Sequence, residues 1–316
     1  MERVMAVMRQ GLLWLSERQG IFNFVRRNRL ARKFASRFVA GETIEDGVAA
    51  AQELSRRGIT ASLDLLGESV TAEAEAVAAR DQYLRMLDRM AESGVEVNVS
   101  VKLTQMGLDI AEELCEANMV RILEKAAALR GFVRLDMEGW DYTQRTLDFF
   151  RARLFPRFGP HCGVVIQSML RRSEKDIEDL ILLKARVRLC KGAYLEPPSV
   201  AFPDKAEVDR SYVRCMERLL HDGNYPGLAT HDEAIITAAR DFVGRQGIPA
   251  SRFEFQMLYG VRRDLQDRLR QAGHNMRVYI PFGTQWYPYL MRRLAERPAN
   301  IAFLLGNVVR ESIPGR

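Results

Sequence analysis

Histidine and cysteine are scarce in this sequence: its 316 residues hold four of each. The histidines, His161, His221, His231 and His274, nowhere pair at metal-ligand spacing, which argues against a zinc site. The cysteines, Cys115, Cys162, Cys190 and Cys215, form no CxxC and read as reduced thiols of a reducing compartment. No apolar run reaches membrane-spanning length. No signal-peptide cleavage pattern opens the chain, so a cytoplasmic protein is expected. The GxGxxG of a dinucleotide-binding fold is missing as well. Acidic residues are nearly absent from positions 1–40, where Arg3, Arg9, Arg18, Arg26, Arg27, Arg29, Arg32, Lys33 and Arg37 face only Glu2 and Glu17. This stretch accounts for the whole positive excess of a chain with net charge +6. The remainder shows no basic stripe, so nucleic acid is not an expected partner.

What is present is ordinary for a globular protein, 47% hydrophobic and 28% charged. Apolar positions in the basic stretch (Val4, Val7, Met8, Leu12, Leu15, Phe22) recur at helical spacing. That arm reads as a helix docked on the body, as a surface for anionic lipid at the inner face of a membrane, or as a transit peptide. Thr43 caps a further helix that Gly58 ends, and residues 1–58 form a helical arm. From residue 59 to the end, eight strand-like runs alternate with helical patterns. The runs are Ile59–Leu66, Val95–Leu103, Phe132–Met137, Gly163–Met169, Ala185–Lys191, Leu228–His231, Phe253–Met257 and Val278–Pro281. Alternation implies parallel βαβ units, and eight of them imply a (βα)8 barrel rather than a doubly wound open sheet.

The strands alternate strictly, apolar with polar. Helices must cover the outside of a barrel, so the polar set faces inward. It comprises Asp64, Lys102, Arg134, Asp136, Arg186, Arg188 and Glu254. Buried charge demands partners, so an internal ion network is expected, opening onto a polar mouth. The carboxyl ends of barrel strands carry active sites. Here they carry Glu68, Lys102, Asp136 with Met137, Gln167, Arg188 with Lys191, Thr230 with His231, Gln256 with Leu258, and Tyr279. Arg188, Lys191 and His231 supply positive charge and donors, and Gly192 and Ala193 follow in a turn where backbone can approach a ligand. After the last strand, Arg292 and Arg293 form a fork suited to a carboxylate, or an exposed pair bridged to Glu296 on a surface helix. Lys102 suits an anion site, or a Schiff base if Arg188 and Arg292 lower its pKa. The residues alone therefore leave open a flavin-dependent oxidation of a carboxylated substrate, a lysine-imine aldolase, and a non-catalytic membrane-surface protein.

Seven motifs narrow this. LDLLGE at Leu63–Glu68, RLDMEG at Arg134–Gly139, VIQSML at Val165–Leu170, RLCKGAY at Arg188–Tyr194, ATHDE at Ala229–Glu233, FEFQMLYG at Phe253–Gly260 and YIPFGTQWYPYLMRRL at Tyr279–Leu294 together resemble proline dehydrogenase. The length resembles the monofunctional bacterial form, without the aldehyde dehydrogenase half of bifunctional members. The resemblance implies a distorted barrel that binds FAD, with the last helix over the mouth. It implies oxidation of L-proline to 1-pyrroline-5-carboxylate, with electrons passed on to a quinone. Arg292 and Arg293 would grip the substrate carboxylate, Glu68 would pair with them, and Lys102 would line that pocket. Leu258 and Tyr279 would pack on the ring. Asp136 and Arg188 match catalytic positions, with Arg188 also against the flavin. Met137, Gln167, Lys191, Gly192, Ala193, Thr230 and His231 match FAD contacts, Tyr194 matches the tyrosine after KGA, and Lys205 reaches toward the phosphates. The segment from Thr284 to Arg292, with Trp286 and Pro288, follows the short-form pattern, which leaves hydroxyproline open as a substrate.

Overall fold

The computed structural model describes residues 36–194 and 196–296, with side chains to Met291. The basic arm at 1–35 and the side chains of Arg292 and Arg293 lie outside these. The first described helix is α1 (Ile44–Arg56). Its start is a capping box: the Asp46 N–H donates to Thr43 Oγ1, and the Asp46 carboxylate accepts from the Thr43 N–H. Eight strands follow: β1 (Thr60–Leu65), β2 (Asn98–Val101), β3 (Phe132–Leu135), β4 (Cys162–Gln167), β5 (Arg186–Cys190), β6 (Gly227–Ala229), β7 (Glu254–Leu258) and β8 (Met276–Phe282). All are parallel and close in sequence order, β8 pairing back onto β1. Between them run α2 (Glu73–Glu92), α3 (Glu112–Ala128), α4 (Trp140–Phe149), the short α5 (Phe155–Phe158), α6 (Ser173–Leu182), α7 (Lys205–Asp222), α8 (Glu233–Gln246) and α9 (Arg263–Gln271). Each expected strand is present, most of them one to three residues shorter or shifted at an end.

Apolar alternate residues of every strand point outward into one continuous core. Leu63, Val99, Val101, Val133, Leu135, Val164, Leu189, Leu228, Phe255, Val278 and Ile280 are all fully covered. Helices bring matching stripes; on α2, Tyr83, Met86, Leu87 and Met90 recur at helical spacing and are completely buried. The inward set is polar, as the strand parity requires. Glycine makes room for it at two points: a Cβ on Gly163 would crowd Arg134 and Phe132, and one on Gly227 would overlap Gln256.

The flank outside β8 and β1 is covered by α1, from the stretch assigned to the arm. A Cβ on Gly47 would meet Phe282 and Leu63 at 3.0 and 3.2 Å. Main-chain hydrogen bonds from Ala40 to Pro281 and from Gly283 to Gly41 zip the segment before α1 to the end of β8. The helix after β8, α10 (Trp286–Glu296), is thus not needed on that flank. Its Trp286 indole donates to Glu42 at 3.0 Å.

Candidate active site

A chain of polar contacts runs the length of the barrel interior. At the floor, Arg277 donates to Glu254 at 2.8 Å and to Glu96 at 2.9 Å. Glu254 accepts from the Gln256 amide at 2.6 Å, and Gln256 Oε1 accepts from Arg188 Nε at 2.5 Å. Arg188 also donates to Ser100 at 3.1 Å, Ser62 at 3.4 Å and Asp136 Oδ1 at 2.8 Å. The second Asp136 oxygen accepts from the Tyr279 hydroxyl at 2.8 Å. Arg188 also lies over the Tyr279 ring, 5.2 Å from its centre. Beside this group, Lys102 pairs with Asp64 at 3.3 Å. Of the seven expected interior charges, Asp64, Lys102, Arg134, Arg188 and Glu254 are buried and Asp136 and Arg186 half-buried, and Arg188, Asp136 and Tyr279 meet at the mouth with Lys102 beside them.

Burial and neighbours set the charge states. Burial raises the Asp64 pKa, against the pull of Lys102, and Asp136 adds to the rise. Burial works against the Lys102 ammonium, but Asp64, Asp136 and Glu68 outweigh it and raise its pKa. This corrects the Schiff-base alternative, which expected arginines to lower it. The closest groups are carboxylates, so Lys102 stays a cation and a poor nucleophile. At the floor, burial would push Glu254 up, yet Arg277 and Gln256 bring it below the usual carboxylate range. Burial lowers the pKa of both Arg134 and Arg186, and each stacks on Phe132.

The β5 and β6 exits hold the other expected ligand residues, with a different balance from the one anticipated. Lys191 is paired with Asp209 and Asp232, and Lys205 joins the same two aspartates. His231 Nε2 accepts the Leu258 N–H at 3.0 Å, so that nitrogen is not a donor. The positive charge expected here is thus largely matched, by residues of α7 and the β6 exit. Thr230 Oγ1 caps the same turn by accepting the Asp232 N–H. Gln167 is buried, its amide donating to the Glu138 carbonyl at 2.8 Å, and Met137, the residue before Glu138, is buried too. Gly192 has φ +112, and a Cβ there would lie 2.3 Å from Met169 Sδ, so only glycine lets the chain pass. Ala193 and Tyr194 follow half-buried, with Tyr194 packed toward Met169, Leu170 and Ala201. Leu258 pairs across the ladder with Tyr279. Glu68, half-buried beyond β1, is near enough to act on both Lys102 and Glu138.

Sequence reasoning missed several members. Arg277 shares the parity of Tyr279 and could have been found by it. Asp64 was placed inside but not as the Lys102 partner; its Oδ2 is buried with no hydrogen-bond partner among the described residues. Glu138 and Thr104 lie beyond the strand ends, where alternation stops giving direction.

Comparison with known proteins places this geometry. The sequence profile of a family described as Proline dehydrogenase matches residues 48–305. The chain is 42% identical over 306 residues to proline dehydrogenase of Deinococcus radiodurans, covering 96% of this chain and 98% of that one. It is 40% identical over 302 residues to proline dehydrogenase 1 of Bacillus subtilis, covering 92% and 99%. Among solved structures, proline utilization A from Bdellovibrio bacteriovorus, inactivated by N-propargylglycine, superposes with a TM-score of 0.79 at 26% identity. That match covers 88% of this chain and 34% of the other, so the chain spans about a third of that protein.

Proposed function

The chain belongs to the proline dehydrogenase family, and from that premise we propose that it oxidises L-proline to 1-pyrroline-5-carboxylate using FAD. The observation that carries this reading is the Arg188–Asp136–Tyr279 group at the mouth, with a charged Lys102 beside it. The residues fit the cofactor in kind. A guanidinium suits an electron-rich ring edge, and the Lys191-Gly192-Ala193 turn admits close backbone approach. Met137, Gln167, Lys191, Gly192, Ala193, Tyr194, Thr230 and His231 would hold it, with Lys205 toward its phosphates. When bound, FAD supplies the acceptor for the hydride that leaves the ring carbon next to nitrogen.

The chain's own residues position and stabilise. Arg292 and Arg293 on α10 hold the carboxylate from above the mouth, and Glu68 pairs with them. Lys102, kept cationic by Asp64, adds attraction for the same carboxylate. Leu258 and Tyr279, adjacent on β7 and β8, pack on the pyrrolidine ring. Arg188 is fixed by four polar side chains, so its charge stands ready where negative charge gathers in the transition state. Both Asp136 oxygens are committed, to Arg188 and Tyr279, so we assign Asp136 to orienting those groups rather than to taking the amine proton. Purified protein supplied with FAD is expected to show the visible flavin band and to lose it on anaerobic addition of proline, more readily than with hydroxyproline. A folded sample that binds no flavin would remove this reading.

We further infer that electrons pass to a quinone and that residues 1–40 make a peripheral contact with an anionic membrane surface. The support is the placement of the positive charge in that stretch. Neutralising Arg26, Arg27 and Arg29 together should weaken binding to anionic vesicles and slow turnover with membrane quinone, but not with a soluble dye. Equal vesicle binding and equal quinone turnover would refute it.

A further inference from the structure

The loop leaving β1 carries Glu68, and it is tied down by residues of two neighbouring exits. The Ser69 N–H donates to Thr104 Oγ1 at 2.9 Å. That hydroxyl donates to Glu138 Oε1 at 2.6 Å, and the Thr104 N–H reaches Oε2 at 3.4 Å. Ser69 has φ +54, a left-handed conformation uncommon for a residue other than glycine, so its backbone needs holding. On the other side of Glu68, Gln105 Nε2 donates to the Leu65 carbonyl at 3.2 Å. Gly67 sits against the same amide, where a Cβ would lie 2.6 Å away.

Thr104 is fully buried and Glu138 is only 6% exposed. A carboxylate is an expensive way to fasten a loop in such a place. Burial raises the Glu138 pKa more than the Thr104 hydrogen bonds and Lys102 lower it, leaving it pushed up to about 7. Among the described residues, the one further hydrogen bond to the side chains of this pair comes from the Ser69 N–H, the residue after Glu68. Neither residue approaches the Arg188 group through any hydrogen bond among the described residues.

We propose that Thr104 and Glu138 are positioning residues that present the Glu68 carboxylate to Arg292 and Arg293, and so set affinity for proline. They act on how the substrate carboxylate is held, not on the oxidation step. This rests on the Glu68 pairing proposed above.

The test is a double-mutant cycle of Thr104→Val with Glu68→Ala in the FAD-loaded protein. It reads KM and kcat for proline, and calorimetric affinity for the oxygen-ring analogue tetrahydrofuran-2-carboxylate. Thr104→Val should raise KM and weaken analogue binding about three- to tenfold, as for loss of one hydrogen-bonded link. Its kcat should stay within about twofold, and Thr104→Ser should restore parental behaviour. In the Glu68→Ala background, Thr104→Val should add nothing further. A full additive effect, or none in the parent background, would overturn the relay. If Glu68→Ala alone raises KM and Thr104→Val does not, the relay falls and the Glu68 pairing stands. If Glu68→Ala changes nothing, the pairing falls and the relay with it. Should Thr104→Val not fold, Glu138→Gln takes its place, with a smaller rise and the same non-additivity expected.

Discussion

Arg188→Ala is expected to lower kcat/KM for proline by roughly a hundred- to a thousandfold, the range for removing a fixed donor aimed at developing negative charge. Arg188→Lys should rescue little. The guanidinium uses its fork to hold Gln256, Asp136, Ser100 and Ser62 at once, and one ammonium cannot reproduce that geometry. The loss should fall mainly on kcat, because the substrate carboxylate is assigned to other cations. The check is steady-state kinetics beside a thermal melt and a flavin-content measurement. A folded, flavin-loaded Arg188→Ala protein within tenfold of the parent would end the assignment of Arg188 to the reaction.

Glu254→Gln should produce the largest loss of stability, about 3–5 kcal/mol, as expected when one partner is removed from a buried ion pair. Glu254 is 2% exposed, ion-pairs with Arg277 at 2.8 Å, and its charge also favours the charged forms of Arg134 and Arg186. Glu96, the other partner of Arg277, is half-exposed, so water screens its charge. A lowered folded pKa means that the contribution of Glu254 is fully present above the unfolded value near 4.5. It is lost as pH falls through the lower folded value. The difference between Glu254→Gln and the parent should therefore be level from neutral pH down to about 4.5 and shrink only below it. Denaturant melts at several pH values measure this. A loss under about 1 kcal/mol at neutral pH would mean that the three arginines find compensation elsewhere.

The barrel was legible because its interior is polar. An apolar interior would have erased the alternation in Val97–Lys102 and Arg186–Leu189, leaving runs that strand and helix share. Ser62, Asp64, Arg186, Arg188 and Gln256 could be placed inside from parity alone. Pairing could not. Lys191 meets Asp209 of α7 and Asp232 beyond β6, and only folding brings those three together. The Schiff-base alternative for Lys102 stayed open for the same reason: its environment depends on Asp64, one strand over, more than on any arginine. Arg277 escaped because its run was read for its apolar members. The role of α1 as barrel wall escaped because it precedes the first strand and so looked like an appendage.

Because α1 seals the seam between β8 and β1, the polypeptide carries its own closing stave before the first plank is laid. The helix that ends the repeat is then spared from masonry. It is nonetheless anchored: Trp286, Tyr287, Tyr289 and Leu290 are buried, and the Trp286 indole holds Glu42, just ahead of α1. Residues 40–42 thus clasp both the end of the last strand and the start of the last helix.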